Sequence, residues 1–425
     1  MIWRVLALSL LLGAQVASAQ VGNVGGPSYG FNAVPNTITG INLSASTFTS
    51  AAASGTVIGM PSATVSGGSF TGTITVAASR TTCSPASQSN TSYFQKPSTS
   101  LETNGILYAG TYHVCLTATD AAFTNSPASF LVAVTGTGTA CSQAVAFLGR
   151  SDVTALSLDE VHTNGYVNLI CNMVTHGLIN ASATMISTGG THAYCGLPTG
   201  GAAEFDFLHI EATQTAAAAL IDICNHYPLT AHGSPTFTAD SGYLGVDASA
   251  TVYLDPVYAA NTAGGWYLKD DAHLAAWSFT NALSGVSGGV VIGGAANTGA
   301  GSSGITPRYN DGTAQCQINS LGAASVNITQ ADSLGFYLCT RVAASGAGAV
   351  VSYRAAASIG SGTGSSNTVM GAAAVLVIHE ASGVDSGGAY VIGLDSAGAS
   401  FTSTDEGHYY NDVCSYWMTP VHGSC

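Results

Sequence analysis

Charge is what this chain has least of. Lys, Arg, Asp and Glu together make up 7% of its 425 residues, against roughly 25% in an ordinary soluble domain. Lysine occurs only at Lys96 and Lys269, and the formal net charge is −14. Binding a nucleic acid means displacing counterions from a row of phosphates with a row of cations. This chain has no such row, so no nucleic-acid partner is expected, and an anionic membrane surface is disfavoured for the same reason. Beyond the N-terminus no apolar run approaches the roughly 20 residues a helical bilayer span requires, so no membrane insertion is expected. No Cys-x-x-Cys, His-x-His or His-Glu-x-x-His occurs, and the usual zinc spacings are therefore missing. Nor is there a Gly-x-Ser-x-Gly nucleophile elbow. The glycine-rich stretch 285–304 has no Lys-Ser/Thr to complete a phosphate loop.

Small residues replace charge: 52 glycines and abundant Ser, Thr and Asn, a composition common in secreted bacterial β-proteins. Residues 1–19 read as a signal peptide. Arg4 supplies the positive end, 5–12 the short apolar run, and Ala17-Ser18-Ala19 the small-residue cleavage site. The expected destination is extracellular, at the cell surface or in the periplasm. Ten cysteines follow: Cys83, Cys115, Cys141, Cys171, Cys195, Cys224, Cys316, Cys339, Cys414 and Cys425. An even number in an oxidising compartment reads as disulfides. The remaining length exceeds one ordinary core, so two or more domains are expected.

Residues 20–37, rich in Gly, Pro and Asn, read as a flexible leader. Over 38–136, short β-runs alternate with turn clusters, among them 55–60, 69–76, 112–118 and 130–134, the spacing of a β-sandwich of about 100 residues. The order I-T-G-I-N-L-S, S-G-T-V-I-G, G-G-S-F-T, L-Y-A-G-T-Y-H-V-C-L-T-A-T-D and F-L-V-A-V-T-G resembles a cadherin-like or immunoglobulin-like repeat of bacterial surface proteins. Calcium-binding members need a glutamate just before S-G-T-V-I-G and clustered aspartates at the domain edge. Here Ala51-Ala52-Ala53 and a nearly solitary Asp120 stand in those places, so calcium, which takes six to eight oxygens, is disfavoured. Cys83 and Cys115 are the only cysteines of this segment and are expected to pair.

A Thr/Gly linker over 137–146 leads into a different texture. Tyr166, Leu169, Ile170, Met173 and Val174 fall at helical spacing behind Asp159 and Glu160. Phe205, Leu208, Ala212, Ala216, Leu220 and Ile223 predict a second helix. From 235 onward strands and tight turns return, with an Asp-Gly turn at Asp311-Gly312. Thr404-Asp405-Glu406 starts a final helix, with N-cap chemistry in Ser403 or Thr404 and acids in its first turn. The segments S-P-T-F-T-A-D-S-G-Y-L-G-V-D, A-H-L-A-A-W-S, P-R-Y-N-D-G, S-Y-R-A-A-A-S-I-G and S-T-D-E-G-H-Y-Y-N-D-V-C-S-Y-W-M resemble, in this order, the concanavalin A-like lectin/glucanase (LamG-like) jelly roll of secreted bacterial and phage-tail proteins.

Glu204 and Asp206 are the candidate catalytic pair. Laminarinase-type hydrolases on this jelly roll carry E-x-D-x-x-E on one strand, which places nucleophile and acid/base on one face. Here His209 stands where the third carboxylate belongs. An acidic first turn of a helix is the better account of Glu204 and Asp206. Sugars are held by ring stacking and a few polar groups, and Trp266, Tyr309, Asn310, Asp311 and Tyr353 are the candidate ligand-binding residues. Trp277, on an alternating strand, reads as core, and the 11 histidines as scattered surface or core residues.

The whole reads as mainly β. An immunoglobulin- or cadherin-like sandwich over 38–136 precedes a helical segment over 147–234, which packs on a jelly roll over 235–425 ending in a helix. The expected function is a secreted or surface binding or adhesion protein. Its jelly roll would contact a neutral glycan or other surface polymer, with the first sandwich as spacer. Two other classes remain: a glycoside hydrolase using Glu204 and Asp206, and a ligand-free structural appendage or coat subunit. No cofactor or metal is expected.

Overall fold

Short runs of Thr, Val and Ile between turn residues favour strands, and most of the strands formed pair antiparallel. The computed structural model describes residues 36–180, 195, 205–246, 251–260, 265–283, 292–294, 302–320, 326–346, 348–363, 365–366, 377–378, 381–382 and 389–425. The elements below are those of the described residues.

The first nine strands are β1 (Ile38–Leu43), β2 (Thr47–Thr49), β3 (Val57–Gly59), β4 (Pro61–Val65), β5 (Thr73–Val76), β6 (Phe94–Gln95), β7 (Leu101–Thr103), β8 (Gly110–Thr119) and β9 (Ala128–Thr137). They form a sheet in the order β2-β9-β8-β5, a second in the order β3-β7-β6, and the pair β1-β4. Along β8, Tyr112, Val114, Leu116 and Ala118 are fully buried, the period of two that sends alternate residues to one face. Cys83 is joined to Cys115 of this strand.

Helices α1 (Ser142–Leu148), α2 (Ser151–Thr154) and α3 (Glu160–Thr175) follow. Asp159 caps α3 by accepting the His162 N–H at 3.0 Å, as the acids ahead of the apolar spacing suggested.

The next element departs from expectation. The spacing of Phe205 to Ile223 predicts a helix, but the chain forms β10 (Phe205–His209) and then a loop with one 3-10 turn, Ala218–Leu220. All five residues of β10 are buried. A strand covered on both faces shows no polar alternation, so its apolar spacing can mimic a helix. Asp206 therefore lies on a strand, not in a helical first turn.

The remaining strands are β11 (Thr230–His232), β12 (Thr236–Thr238), β13 (Gly242–Leu244), β14 (Tyr253–Asp255), β15 (Ala272–Ser278), β16 (Ile292–Gly294), β17 (Ser302–Thr306), β18 (Thr313–Ser320), β19 (Val326–Thr329), β20 (Gly335–Arg341), β21 (Val350–Arg354), β22 (Ala357–Gly362), β23 (Val377–Ile378), β24 (Ala381–Ser382) and β25 (Val391–Gly398). One sheet runs β12-β13-β25-β15-β20-β21-β22, with β10 also on β25. The other runs β11-β14-β23-β16-β17-β18-β19, with β24 on β16. Leu274 and Tyr337 from the first sheet share a core with Ile305 and Ile318 from the second, and Cys316–Cys339 links the sheets. This is a jelly-roll sandwich, and the chain as a whole is mainly β.

Helix α4 (Ser403–Val413) starts one residue before the expected Thr404, and its cap is Thr402 instead of Ser403 or Thr404, in a capping box with Asp405. It continues as a π-helical stretch, Cys414–His422, wedged between the other parts. Trp417 Nε1 donates to Ala212 O at 2.7 Å, and Tyr93 Oη donates to Tyr416 O at 2.9 Å. One apolar core therefore includes Tyr112, Leu169, Phe205, Trp277 and Trp417. All ten cysteines are paired, which fits an extracellular setting. Among the described residues no helix is long and apolar enough to cross a membrane.

Candidate functional site

Asp206 is fully buried in β10. Its carboxylate accepts the N–H groups of Trp266 at 2.8 Å and Tyr267 at 2.9 Å, and the Tyr258 hydroxyl at 2.5 Å. Burial, and then the Asp206 charge, push the Tyr258 phenol well above its ordinary pKa, so it stays protonated and donates. The acid and the loop tryptophan, singled out in the sequence for unrelated reasons, are thus bonded to each other. Glu204 lies outside the described residues.

Tyr309, Asn310 and Asp311 belong to the β17–β18 turn. There the Gly312 N–H donates to Tyr309 O at 2.9 Å, with Gly312 in the left-handed region at φ +84°. Asp311 accepts the Thr313 N–H and hydroxyl at 2.9 and 2.7 Å. Tyr353 lies in β21, on the other sheet, buried in the core that holds Trp277 and Phe336. The five candidate ligand-binding residues are therefore spread over three places.

A different set of side chains shares a concavity. Trp277, Phe279, Phe336, Tyr410 and His422, with Asp332 and Arg354, line a cleft of about 440 Å³ between the first jelly-roll sheet and the C-terminal helix. Trp277 is its floor at 1% exposure. The rings within reach of solvent are those of Phe279, Tyr410 and His422, all half-buried. Tyr410 stacks on Trp277 with planes 8° apart and centroids 5.8 Å apart, and His422 stacks on Phe279 at 3.8 Å. Arg354 pairs with Asp332, bonds Gln330 Oε1 at 2.9 Å and lies 5.4 Å from the Tyr337 ring centroid. Burial pushes the Tyr337 phenol up to about 12, against the opposing pull of Arg354. The sequence scatters these residues over some 150 positions. The one local signal was the alternation over 272–279, which ends on Phe279.

A second polar constellation is enclosed. His209 ends β10, and its register partner on β25 is Asp395. His209 Nδ1 lies 3.0 and 3.1 Å from the two Asp395 oxygens, and Nε2 lies 2.7 Å from Tyr227 O. Glu211, two residues on, brings a third ligand-type atom, and all three lie within 4.8 Å of one another. His209, Glu211 and Asp395 are each 0% exposed, and neither Glu211 oxygen has a hydrogen-bond partner. Burial, and then the Asp395 charge, raise the Glu211 pKa well above the carboxylate range. Burial pulls the His209 pKa down, but Asp395 outweighs it and the pKa is raised. Read as a strand, the spacing of His209 and Glu211 puts both on one face. Read as a helix, it hides that.

No family model matches this chain, and no curated protein matches it. Solved structures do. Domain 4 of a GH43 extracellular arabinanase from Geobacillus stearothermophilus, in complex with arabinotriose, is 12% identical at a TM-score of 0.35, over 48% of this chain and 98% of that one. Trypanosoma rangeli sialidase in complex with the inhibitor DANA is 10% identical at a TM-score of 0.37, over 72% of this chain and 45% of that one. A receptor binding domain is 13% identical at a TM-score of 0.34, over 49% of this chain and 51% of that one. Likeness this distant carries no argument about activity.

Proposed function

We propose that this is a secreted or surface-associated binding protein that holds a neutral saccharide in the cleft beside its C-terminal helix. The observation that supports the reading is the cleft's composition. It has an aromatic floor and wall (Trp277, Phe279, Tyr410, His422) and only a few side-chain polar groups, chiefly the Asp332–Arg354 pair. Sugar rings stack on aromatic faces while a few fixed donors and acceptors orient their hydroxyls. The opposite charges of Asp332 and Arg354 compensate each other, which suits an uncharged ligand, as does a chain with 8 basic residues in 425. The volume, about 440 Å³, falls in the usual range of small-ligand pockets. In this reading the N-terminal sandwich is a support that displays the jelly roll.

A neutral-glycan array probed with the purified protein tests this. We expect binding to a subset of glycans, accompanied by a change in tryptophan fluorescence as the ligand covers the ring over Trp277. Tyr410→Ala should weaken that binding about tenfold, on the order of 1.4 kcal/mol. A folded protein that binds no neutral glycan overturns the reading, and so does binding that Tyr410→Ala and Arg354→Ala leave unchanged.

A further inference from the structure

The geometry points to a divalent transition-metal site formed by His209 Nδ1, Glu211 and Asp395, enclosed in the jelly roll and separate from the cleft. His209 Nε2 faces a backbone carbonyl, Tyr227 O, at 2.7 Å. A carbonyl can only accept, so Nε2 carries a hydrogen. In the metal-free protein Nδ1 carries one too and donates to Asp395, and a metal would displace that proton and take the Nδ1 lone pair. Nδ1 is aimed at Asp395, and the unpartnered carboxyl of Glu211 completes the group. Three potential ligand atoms thus converge in a dry interior, and among the described residues no lysine or arginine bonds them. Two carboxyls against one imidazole leave one negative charge to compensate in a dry interior, at a cost of several kcal/mol. Either a proton on Glu211 or a divalent ion can do so, and the ion also gives the Glu211 oxygens a partner.

The surroundings are those of a ligating histidine. A ring nitrogen that binds a metal has its tautomer fixed by a hydrogen bond from the other nitrogen to a carbonyl or carboxylate. Here that carbonyl is itself held in place. Asp222 accepts the N–H groups of Leu208 and Cys224 at 3.0 and 2.9 Å, and those of His226 and Tyr227 both at 2.8 Å. The Cys195–Cys224 bridge anchors the same loop. An imidazole with two carboxylates selects zinc or a neighbouring first-row ion over calcium or magnesium, which prefer all-oxygen shells. Tetrahedral zinc with bonds of about 2.0–2.1 Å sets its ligand atoms roughly 3.4 Å apart. The 3.0–3.1 Å from His209 to Asp395 and the 4.8 Å that bounds all three atoms lie on either side of that spacing. A second carboxylate oxygen or a water would fill the fourth position. A site with no exposed atom must load as the chain folds, so the ion would be structural.

The test measures zinc directly in protein purified from a zinc-supplemented culture and passed through a weak chelator. We expect about one zinc per chain in the wild type and less than about 0.1 in Glu211→Gln and Asp395→Asn. A surface control, His232→Ala, should keep its zinc. Refolding with cobalt, disulfides intact, should give the intense visible bands of a four-coordinate ion in the wild type only. If either variant fails to fold, the wild-type zinc content and cobalt spectrum decide alone. A folded wild type without zinc overturns the proposal in favour of protons shared among the three groups. Equal zinc in wild type and folded variants overturns it by placing the metal elsewhere. Neither result bears on saccharide binding in the cleft.

Discussion

His162 Nε2 lies 2.9 Å from Asp240 Oδ1, a contact that ties α3 to the β12–β13 hairpin of the jelly roll. The other ring nitrogen lies 2.7 Å from Asp159 Oδ1. Carboxylates accept, so both ring nitrogens carry hydrogens and the ring is a buried imidazolium. Arg80, from the N-terminal sandwich, pairs with the same Asp240. One aspartate thus collects a cation from each of two parts of the chain that lie far apart in sequence.

Stability should therefore depend on pH in a defined window. Burial pulls the His162 pKa down, but the two carboxylates outweigh it and the pKa is raised. Its contribution is full below the ordinary histidine pKa of about 6.5 and is lost as pH rises through the folded value. Burial pushes the Asp240 pKa up, but His162 and Arg80 outweigh it and the pKa is lowered. That contribution is full above about 4 and is lost as pH falls through the folded value. The node is strongest between about pH 4 and 6.5, and the melting temperature of the wild type should fall from pH 6 to pH 9. His162→Gln should destabilise by about 1–3 kcal/mol at pH 6 and shrink that fall. An unchanged pH dependence in the variant would sink the assignment.

Glu406, in the first turn of α4, has no exposed surface and no side-chain partner. Burial pushes its pKa up to about 7. A carboxyl that gains proton affinity on folding makes the folded state less stable as pH rises from about 4.5 to about 7. Glu406→Gln keeps the shape and removes the charge. It should raise the melting temperature at pH 8 and leave it nearly unchanged at pH 4, as read by calorimetry.

Gly265 packs against Asp206, and a Cβ there would sit 2.3 Å from Asp206 Oδ1. Gly265→Ala should push the Trp266 loop off the carboxylate and cost about 1–3 kcal/mol. Denaturant unfolding measures the loss. A fully stable Gly265→Ala protein would mean that Asp206 does not hold this loop.

With every cysteine paired, thiol titration under denaturing, non-reducing conditions should find no reactive thiol. Each bridge contributes about 2–4 kcal/mol in the chain-entropy account, so reduction should lower the melting temperature markedly. High salt should change it little by comparison, because exposed ion pairs contribute only about 0–1 kcal/mol each. Six or more free thiols would contradict the paired structure.

Local signals were readable where one face of an element meets solvent or a cap is chemically distinct. The alternation of Tyr112, Val114, Leu116 and Ala118 marks β8, and Asp159 ahead of an apolar stripe marks α3. Asp311-Gly312 marks the β17–β18 turn. β10 was unreadable for the opposite reason: both its faces are covered, so its polar residues, Asp206 and His209, mark no solvent face.

By itself the sequence determined the mainly β character and the pairing expected of an even set of ten cysteines. These follow from composition and short-range spacing, which act on the backbone wherever the chain ends up. Only the tertiary structure decided what gathers in the cleft, where β15, the β20–β21 region and the C-terminal helix meet. Only register decided that Asp395 stands opposite His209, 186 residues away. Such encounters depend on which strands pair, and pairing is set by the shared burial of many residues at once, so no local stretch of sequence carries it.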